Sequence, residues 1–132
     1  MTEGYTFPKT SRLLTNSQFR AVLSRRLSAR DELLILYARE NDLNYPRLGI
    51  SIGKSCPTAV ARNRLKRLLR EAFRQNKHLI PPGFDYVVSM SHQWLRRINN
   101  REAARRAVKA LKFEQIRGSF LNLAAKLTDK SD

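Results

Sequence analysis

Residues 59–77 read AVARNRLKRLLREAFRQNK. At about 100° per residue, Ala61, Leu65, Leu68, Leu69 and Ala72 fall on one arc, with Phe73 at its edge. Arg62, Lys66, Arg67, Arg70 and Arg74 take the other side, with Asn63 among them and Arg64 at the far border of that arc. The pattern predicts an amphipathic helix from about Thr58 to Lys77, with Thr58 as its cap. Burying the apolar arc against a sheet would hold the helix in place. It would also turn a dense cationic face outward.

Strand signals flank this helix. Residues 47–53, Arg-Leu-Gly-Ile-Ser-Ile-Gly, alternate, so Leu48, Ile50 and Ile52 share one face of a strand. Residues 33–38, Leu-Leu-Ile-Leu-Tyr-Ala, form a short apolar run rich in strand formers. Asn41, Asp42, Asn44 and Pro46 mark the turn between the two. Before them, Phe19, Val22 and Leu23 recur at helical spacing, and Asn16 or Ser17 could cap that helix. Residues 1–10 are polar, contain Pro8 and read as a mobile arm. After the long helix, Pro81-Pro82-Gly83 breaks the chain and residues 84–90 give another strand. A helix opens near Asn100 and runs at least to Arg117. Gly118 either kinks it or splits it from a last helix at 119–127, beyond which 128–132 should fray. No repeat or low-complexity tract interrupts the chain. The pattern predicts one α+β domain over residues 1–127, a small sheet packed by helices on one face.

With 132 residues and 42% hydrophobic content, the chain can bury a sizeable core. It carries 26 Lys and Arg against 11 Asp and Glu, a formal charge of +15. The pI is about 11.1 and the mean hydropathy -0.50. Such a balance points to a polyanionic partner, nucleic acid first and anionic membrane second. No apolar run approaches the roughly 18 residues of a membrane span. The opening MTEGYTFPKTSRLL lacks a signal-type apolar segment, so a cytoplasmic protein is expected. The single cysteine, Cys56, excludes an intramolecular disulfide framework and a cysteine-rich zinc site.

Solvated helix faces mix signs to limit self-repulsion. Between Arg62 and Arg74 there are six basic residues and one acid, Glu71, which reaches Arg67 at i,i+4 spacing. The remaining like charges cost stability unless phosphates neutralise them. Arginine predominates, which suits bidentate phosphate and base-edge contacts. A basic helix can enter a DNA major groove, but no heptad zipper, zinc ligand set or tight helix-turn-helix spacing accompanies this one. RNA recognition adds aromatic platforms for unstacked bases. Phe19 and Tyr37 are candidates, although composition alone reads them first as core packing.

Protein-catalysed phosphodiester hydrolysis needs clustered carboxylates for metal ions or paired acid–base histidines. Here Asp31, Glu32, Glu40, Asp42, Asp85 and Glu102 are scattered. Asp31 and Glu32 are adjacent, and neighbours on a strand point to opposite faces. His78 and His92 stand alone, and Cys56 has no histidine near it in sequence. Trp94 reads as a packing or surface residue. No catalytic residue and no metal ligand is expected in this chain.

The arginine-rich run resembles a known signature. Arg62-Asn63-Arg64-Leu65-Lys66-Arg67-Leu68-Leu69-Arg70-Glu71 is similar to that of the bacterial ribonuclease P protein component. Arg47-Leu48-Gly49-Ile50-Ser51-Ile52-Gly53-Lys54 resembles the strand preceding that signature. Ser17-Gln18-Phe19 and Leu36-Tyr37 fit the family's first helix and first strand, and Phe84-Asp85-Tyr86-Val87-Val88 its last strand. The likeness covers about residues 10–90 and a helix near the C-terminus.

The resemblance implies an αβββαβα order with a left-handed crossover around the long helix, an arrangement shared with a ribosomal-protein domain, plus an extra C-terminal helix. It implies a subunit that helps remove 5′ leaders from precursor tRNA, with catalysis and Mg²⁺ carried mainly by an RNA subunit and one protein bound per RNA. Arg62, Asn63, Arg64, Lys66, Arg67 and Arg70, with Lys54 before the helix, match the face contacting the catalytic RNA. Phe19 and Tyr37 match a cleft for the single-stranded leader, and Ile35 shares Tyr37's strand face. This chain departs from the family at Lys54-Ser55 and Pro57-Thr58, where two lysines and a Gly-Asn are usual, and at Leu23, where a second aromatic is common. Residues 91–117, with Arg96, Arg97, Arg101, Arg105, Arg106, Lys109 and Lys112, read as an added basic helix and an extra RNA contact. A ribosomal RNA-binding protein and a protein-only nuclease are the competing classes. The first would show in affinity for ribosomal RNA, the second in cleavage without an RNA subunit.

Overall fold

The computed structural model describes residues 11–13, 15–53 and 56–131. The arm expected at 1–10 and the candidate contact Lys54 lie outside the described residues.

Helix α1 spans Asn16–Ser24, and its cap is Thr15 rather than Asn16 or Ser17. Thr15 Oγ1 accepts from the Gln18 backbone N–H at 3.1 Å, while Gln18 Oε1 accepts from the Thr15 N–H at 3.0 Å. This reciprocal box satisfies two backbone donors that the first turn would leave unpaired. Arg26, at φ 58°, turns the chain out of α1 in the left-handed region.

The sheet has four strands, β1 (Leu27–Arg30), β2 (Leu34–Glu40), β3 (Arg47–Ile50) and β4 (Phe84–Met90), in the order β1-β2-β4-β3. The pairs β1–β2 and β2–β4 are antiparallel, and β3–β4 is parallel across the connection made by α2 (Ala59–Gln75). The sheet is therefore mostly antiparallel, as expected. β1 has no counterpart in the hydrophobic pattern, so the run at 33–38 is the second strand, not the first. The third strand stops at Ile50 instead of 53, although the Ser51 N–H still bonds Val88 O at 2.9 Å.

Alternation along β2 and β4 splits the interior in two. Leu34, Leu36, Ala38, Tyr86, Val88 and Met90 face α2 and the last helix, α5 (Phe113–Ser131). Phe120 of α5 meets Phe73 of α2 and Tyr86 of β4 at centroid distances of 6.3 and 6.4 Å. The Arg117 guanidinium donates to Asn76 Oδ1 at 3.0 Å, tying α5 to the end of α2. The other sheet face carries α1, through Val22, Val87 and Leu13 with Phe19 and Tyr37. Helices thus lie on both faces, which corrects the one-face expectation.

The C-terminal third also differs from expectation. A short helix, α3 (His92–Leu95), buries Trp94. Helix α4 starts where expected, with Asn100 Oδ1 accepting from the Ala103 N–H at 2.8 Å, but it ends at Ala110. Leu111 is extended, and Gln115 Oε1 takes the Lys112 N–H at 2.8 Å to open α5. Gly118 does not divide the chain; it lies inside α5, which continues through the 128–131 segment expected to fray.

Candidate nucleic-acid interface

α2 is held as its periodicity requires. Thr58 Oγ1 caps the Ala61 N–H at 3.1 Å, and Ala61, Leu65, Leu69, Ala72 and Phe73 are buried. Leu68 is only half-buried at the rim of the core. Asn63, Arg64, Arg67 and Arg70 are exposed, and Arg62 and Lys66 are half-buried along the flank. These six residues of the signature share one outward surface.

Two expectations about this face are corrected. Arg74 does not join it: the side chain is buried. Glu71 pairs with Arg74, whose Nε donates to Oε1 at 3.0 Å and whose Nη2 meets Oε2. Gln75 Nε2 adds a bond to Oε2 at 3.0 Å. The guanidinium of Arg74 holds the Glu71 carboxyl below its usual range. Glu71 is thus committed to the C-terminal end of the helix and not to Arg67. Among the described residues, no ion pair engages Arg62, Arg64, Lys66, Arg67 or Arg70. Cys56, just before α2, is buried, and that burial pushes its thiol pKa up, so it is poorly suited to act as a thiolate.

The second surface lies on the α1 face of the sheet. Ser28, Tyr37, Val87 and Gly49 stand in register as one row across all four strands. The next row is Arg30, Ile35 and Ser89. Tyr37 and Ile35 therefore share a face, and both are half-buried with Ser28 and Ser89. Phe19 descends from α1 onto the end of the first row. A Cβ built at Gly49 would lie 2.6 Å from Phe19 Cζ, so the ring rests directly on the glycine. Glycine is needed here for that close approach. Leu23, at the place of a second aromatic, is exposed.

A third row, Arg39, Asp85 and Arg47, bounds this floor. Arg47 makes a bidentate pair with buried Asp85 at 2.8 and 2.7 Å, and Asn41 Nδ2 adds a bond at 2.7 Å. Arg47 is thereby neutralised, and its guanidinium braces the sheet edge. The surface is an apolar, half-open floor with hydroxyls along it and Arg30 exposed at its border. Such a floor suits stacking of unpaired bases rather than contact with a charged duplex. The sequence singles out Phe19, Tyr37 and Ile35 but not Gly49, Ser28 or Ser89, because only strand register puts these on the same face.

Among the described residues no three His, Cys, Asp or Glu side chains cluster in a way that could hold a metal ion. His78 and His92 are exposed and far apart in the chain, while Trp94 packs in the core. No helix among the described residues is long and apolar enough to cross a membrane.

Comparison with known proteins places these surfaces in context. The family model Ribonuclease P matches residues 7–128, a longer span than the sequence motifs covered. The ribonuclease P protein component of Stutzerimonas stutzeri is 43% identical over 110 residues, covering 80% of this chain and 81% of that protein. That of Thermotoga maritima is 41% identical over 88 residues, 67% of this chain and 74% of that protein. The solved ribonuclease P protein of Thermotoga maritima superposes with a TM-score of 0.73 at 31% identity, covering 87% of this chain and 96% of that one. The Staphylococcus aureus ribonuclease P protein gives 0.67 at 26% identity, covering 91% and 96%.

Proposed function

The chain belongs to the ribonuclease P protein family, and from that premise we propose that its two surfaces divide the work of one ribonucleoprotein. It is a ribonuclease P protein component acting in tRNA processing, within an endoribonuclease whose bacterial RNA subunit is catalytic. Its partners are that RNA and the tRNA substrate. The outward face of α2, with Arg62, Asn63, Arg64, Lys66, Arg67 and Arg70, holds the catalytic RNA, and Lys54 before the helix extends the same contact. The floor under α1, with Phe19, Tyr37 and Ile35, holds the single-stranded 5′ leader of precursor tRNA.

The observation that carries this reading is the uncompensated charge on α2. Five cations project from one helix, and the acid among them, Glu71, is already bound to Arg74. Phosphates of a folded RNA relieve that repulsion and release counterions. The leader floor works differently: its aromatic faces accept bases irrespective of sequence. Holding the leader there aligns the scissile bond near the RNA's catalytic centre, and binding made this way favours precursor over mature tRNA. In this reading Mg²⁺ is held mainly by the RNA subunit, where it would activate water and stabilise the leaving oxygen. One protein per RNA, a cytoplasmic setting and no membrane partner complete the reading.

Reconstitution tests it. Precursor tRNA cleavage by the catalytic RNA at low Mg²⁺ should rise steeply when this protein is added. Protein alone should give no cleavage, and no stimulation by the protein would refute the reading.

A further inference from the structure

The division between α2 and the leader floor leaves α4 without a role. Arg101, Arg105 and Lys109 recur at i,i+4 spacing on α4, and all three line one wall of a groove of about 680 Å³. The opposite wall is the start of α2, with Arg64 and Val60. Val60 is 75% exposed, an unusual position for a β-branched apolar side chain on a helix this charged. Buried Ala61 and Val108 form the floor. A second groove of about 480 Å³, lined by Val60, Arg64, Arg67 and Leu68 with Phe113 of α5, continues along α2. Val60 and Arg64 belong to both grooves.

Four of the five charged groups lining the first groove are cations. The acid, Glu102, already meets Arg105 at 3.4 Å and Arg106 at 3.2 Å. Among the described residues, no ion pair engages Arg64, Arg101 or Lys109. Like charges at i,i+4 destabilise a helix, and Glu102 is engaged by Arg105 and Arg106 rather than by Arg101 or Lys109 at the two ends of this ridge. Each i,i+4 step advances about 6 Å along the axis, of the order of the spacing between successive phosphates of a strand. A linear polyanion fits such a ridge better than a compact anion. The exposed Val60 gives a sugar or base edge an apolar contact.

We propose that the groove between α2 and α4 is a second binding track, in which Arg64 and the Arg101–Arg105–Lys109 ridge grip a phosphodiester strand of the catalytic RNA subunit. The identity of that strand rests on the family reading above; the cationic groove does not. The track lies on the α2 side of the sheet, away from the leader floor under α1.

The test replaces Arg101, Arg105 and Lys109 by Gln in the full chain. The buried contacts Ala104 and Val108 are untouched, so a thermal melt should match wild type. Affinity for the catalytic RNA, with no tRNA present, is then measured over a salt series. The log affinity against log salt slope should flatten by about two to three units. Independently, Lys109→Cys carrying tethered iron–EDTA should cut the catalytic RNA at nucleotides distinct from those cut from Lys66→Cys; the native Cys56 is buried. An unchanged slope, beside a flattened one for Arg62, Lys66 and Arg70 replaced by Ala, would overturn the α4 track and leave the family reading intact. A slope change seen only in precursor tRNA binding to the assembled holoenzyme would overturn the assignment to the RNA subunit. If neither triple variant changed the slope, both the track and the α2 interface would fall. If the Gln variant failed to fold, absence of specific cuts from position 109 would by itself reject the track.

Discussion

On α2, Arg64, Arg67 and Arg70 stand exposed above a buried apolar arc, and their neighbours on the surface are other cations. Beneath α1, Phe19, Tyr37 and Ile35 are half-buried on a sheet floor where Arg47 is consumed by Asp85 and exposed Arg30 stands only at the border. One surface is set by side-chain charge along a single helix and the other by register across four strands. The contrast suits two kinds of RNA. A folded RNA presents fixed phosphates that a rigid cationic helix can match, whereas a flexible leader offers unstacked bases. It also separates their sensitivities: the first surface should respond to salt, the second to loss of ring area.

The largest effect should come from the support of α2. Leu69 is fully buried and Leu68 is at the rim. Leu69→Ala should therefore cost roughly 2–5 kcal/mol in a denaturant melt, and Leu68→Ala clearly less. Equal losses would show that the helix sits rotated. Next, replacing Arg62, Lys66 and Arg70 by Ala should flatten the salt dependence of catalytic-RNA binding by up to about one unit per residue. An unchanged slope in a folded triple variant would remove this face from the interface.

Smaller effects probe the floor and the helix end. Gly49→Ala drives a methyl into the Phe19 ring, so it should cost about 1–3 kcal/mol of stability through overpacking and weaken precursor tRNA binding as the ring shifts. Leader binding at wild-type strength would show that the Phe19 position is unimportant. Glu71→Gln should have the smallest effect. Arg74 lowers the folded-state pKa of Glu71, so this pair stabilises the fold above the ordinary carboxylate range, and the gain is lost as pH falls through the lowered value. The variant should be less stable than wild type at neutral pH by roughly a few tenths of a kcal/mol, with the gap closing in acid. A gap independent of pH would assign the loss to packing instead.

The long helix was legible because seventeen residues repeat one period and a threonine caps them. β1 was not legible: four residues, Leu-Ser-Ala-Arg, follow α1 after only Arg25 and Arg26, and their strand character comes from pairing with β2. The boundary between α4 and α5 escaped for a related reason. Neither glycine nor proline marks it; Leu111 turns extended and the Gln115 side chain starts the next helix. Gly118 offered a false signal, since an isolated glycine is tolerated inside a packed helix. At the interface, charge on one helix could be read from spacing alone. Arg74 could not, because spacing puts it among the outward cations while the fold buries it against Glu71. Phe19 and Tyr37 stayed ambiguous between core and platform because half-burial is a property of the sheet, α1 and Gly49 together.

The separation of the two surfaces is tested most directly by Phe19→Ala combined with Tyr37→Ala in the reconstituted holoenzyme, after circular dichroism confirms the fold. Aromatic stacking on a base contributes about 1–3 kcal/mol, so precursor tRNA binding should weaken by that order. Affinity for mature tRNA, which has no leader, and affinity of the protein for the catalytic RNA should both hold. Equal losses for precursor and mature tRNA in the folded variant would contradict the account, because the leader would then not lie on the floor beneath α1.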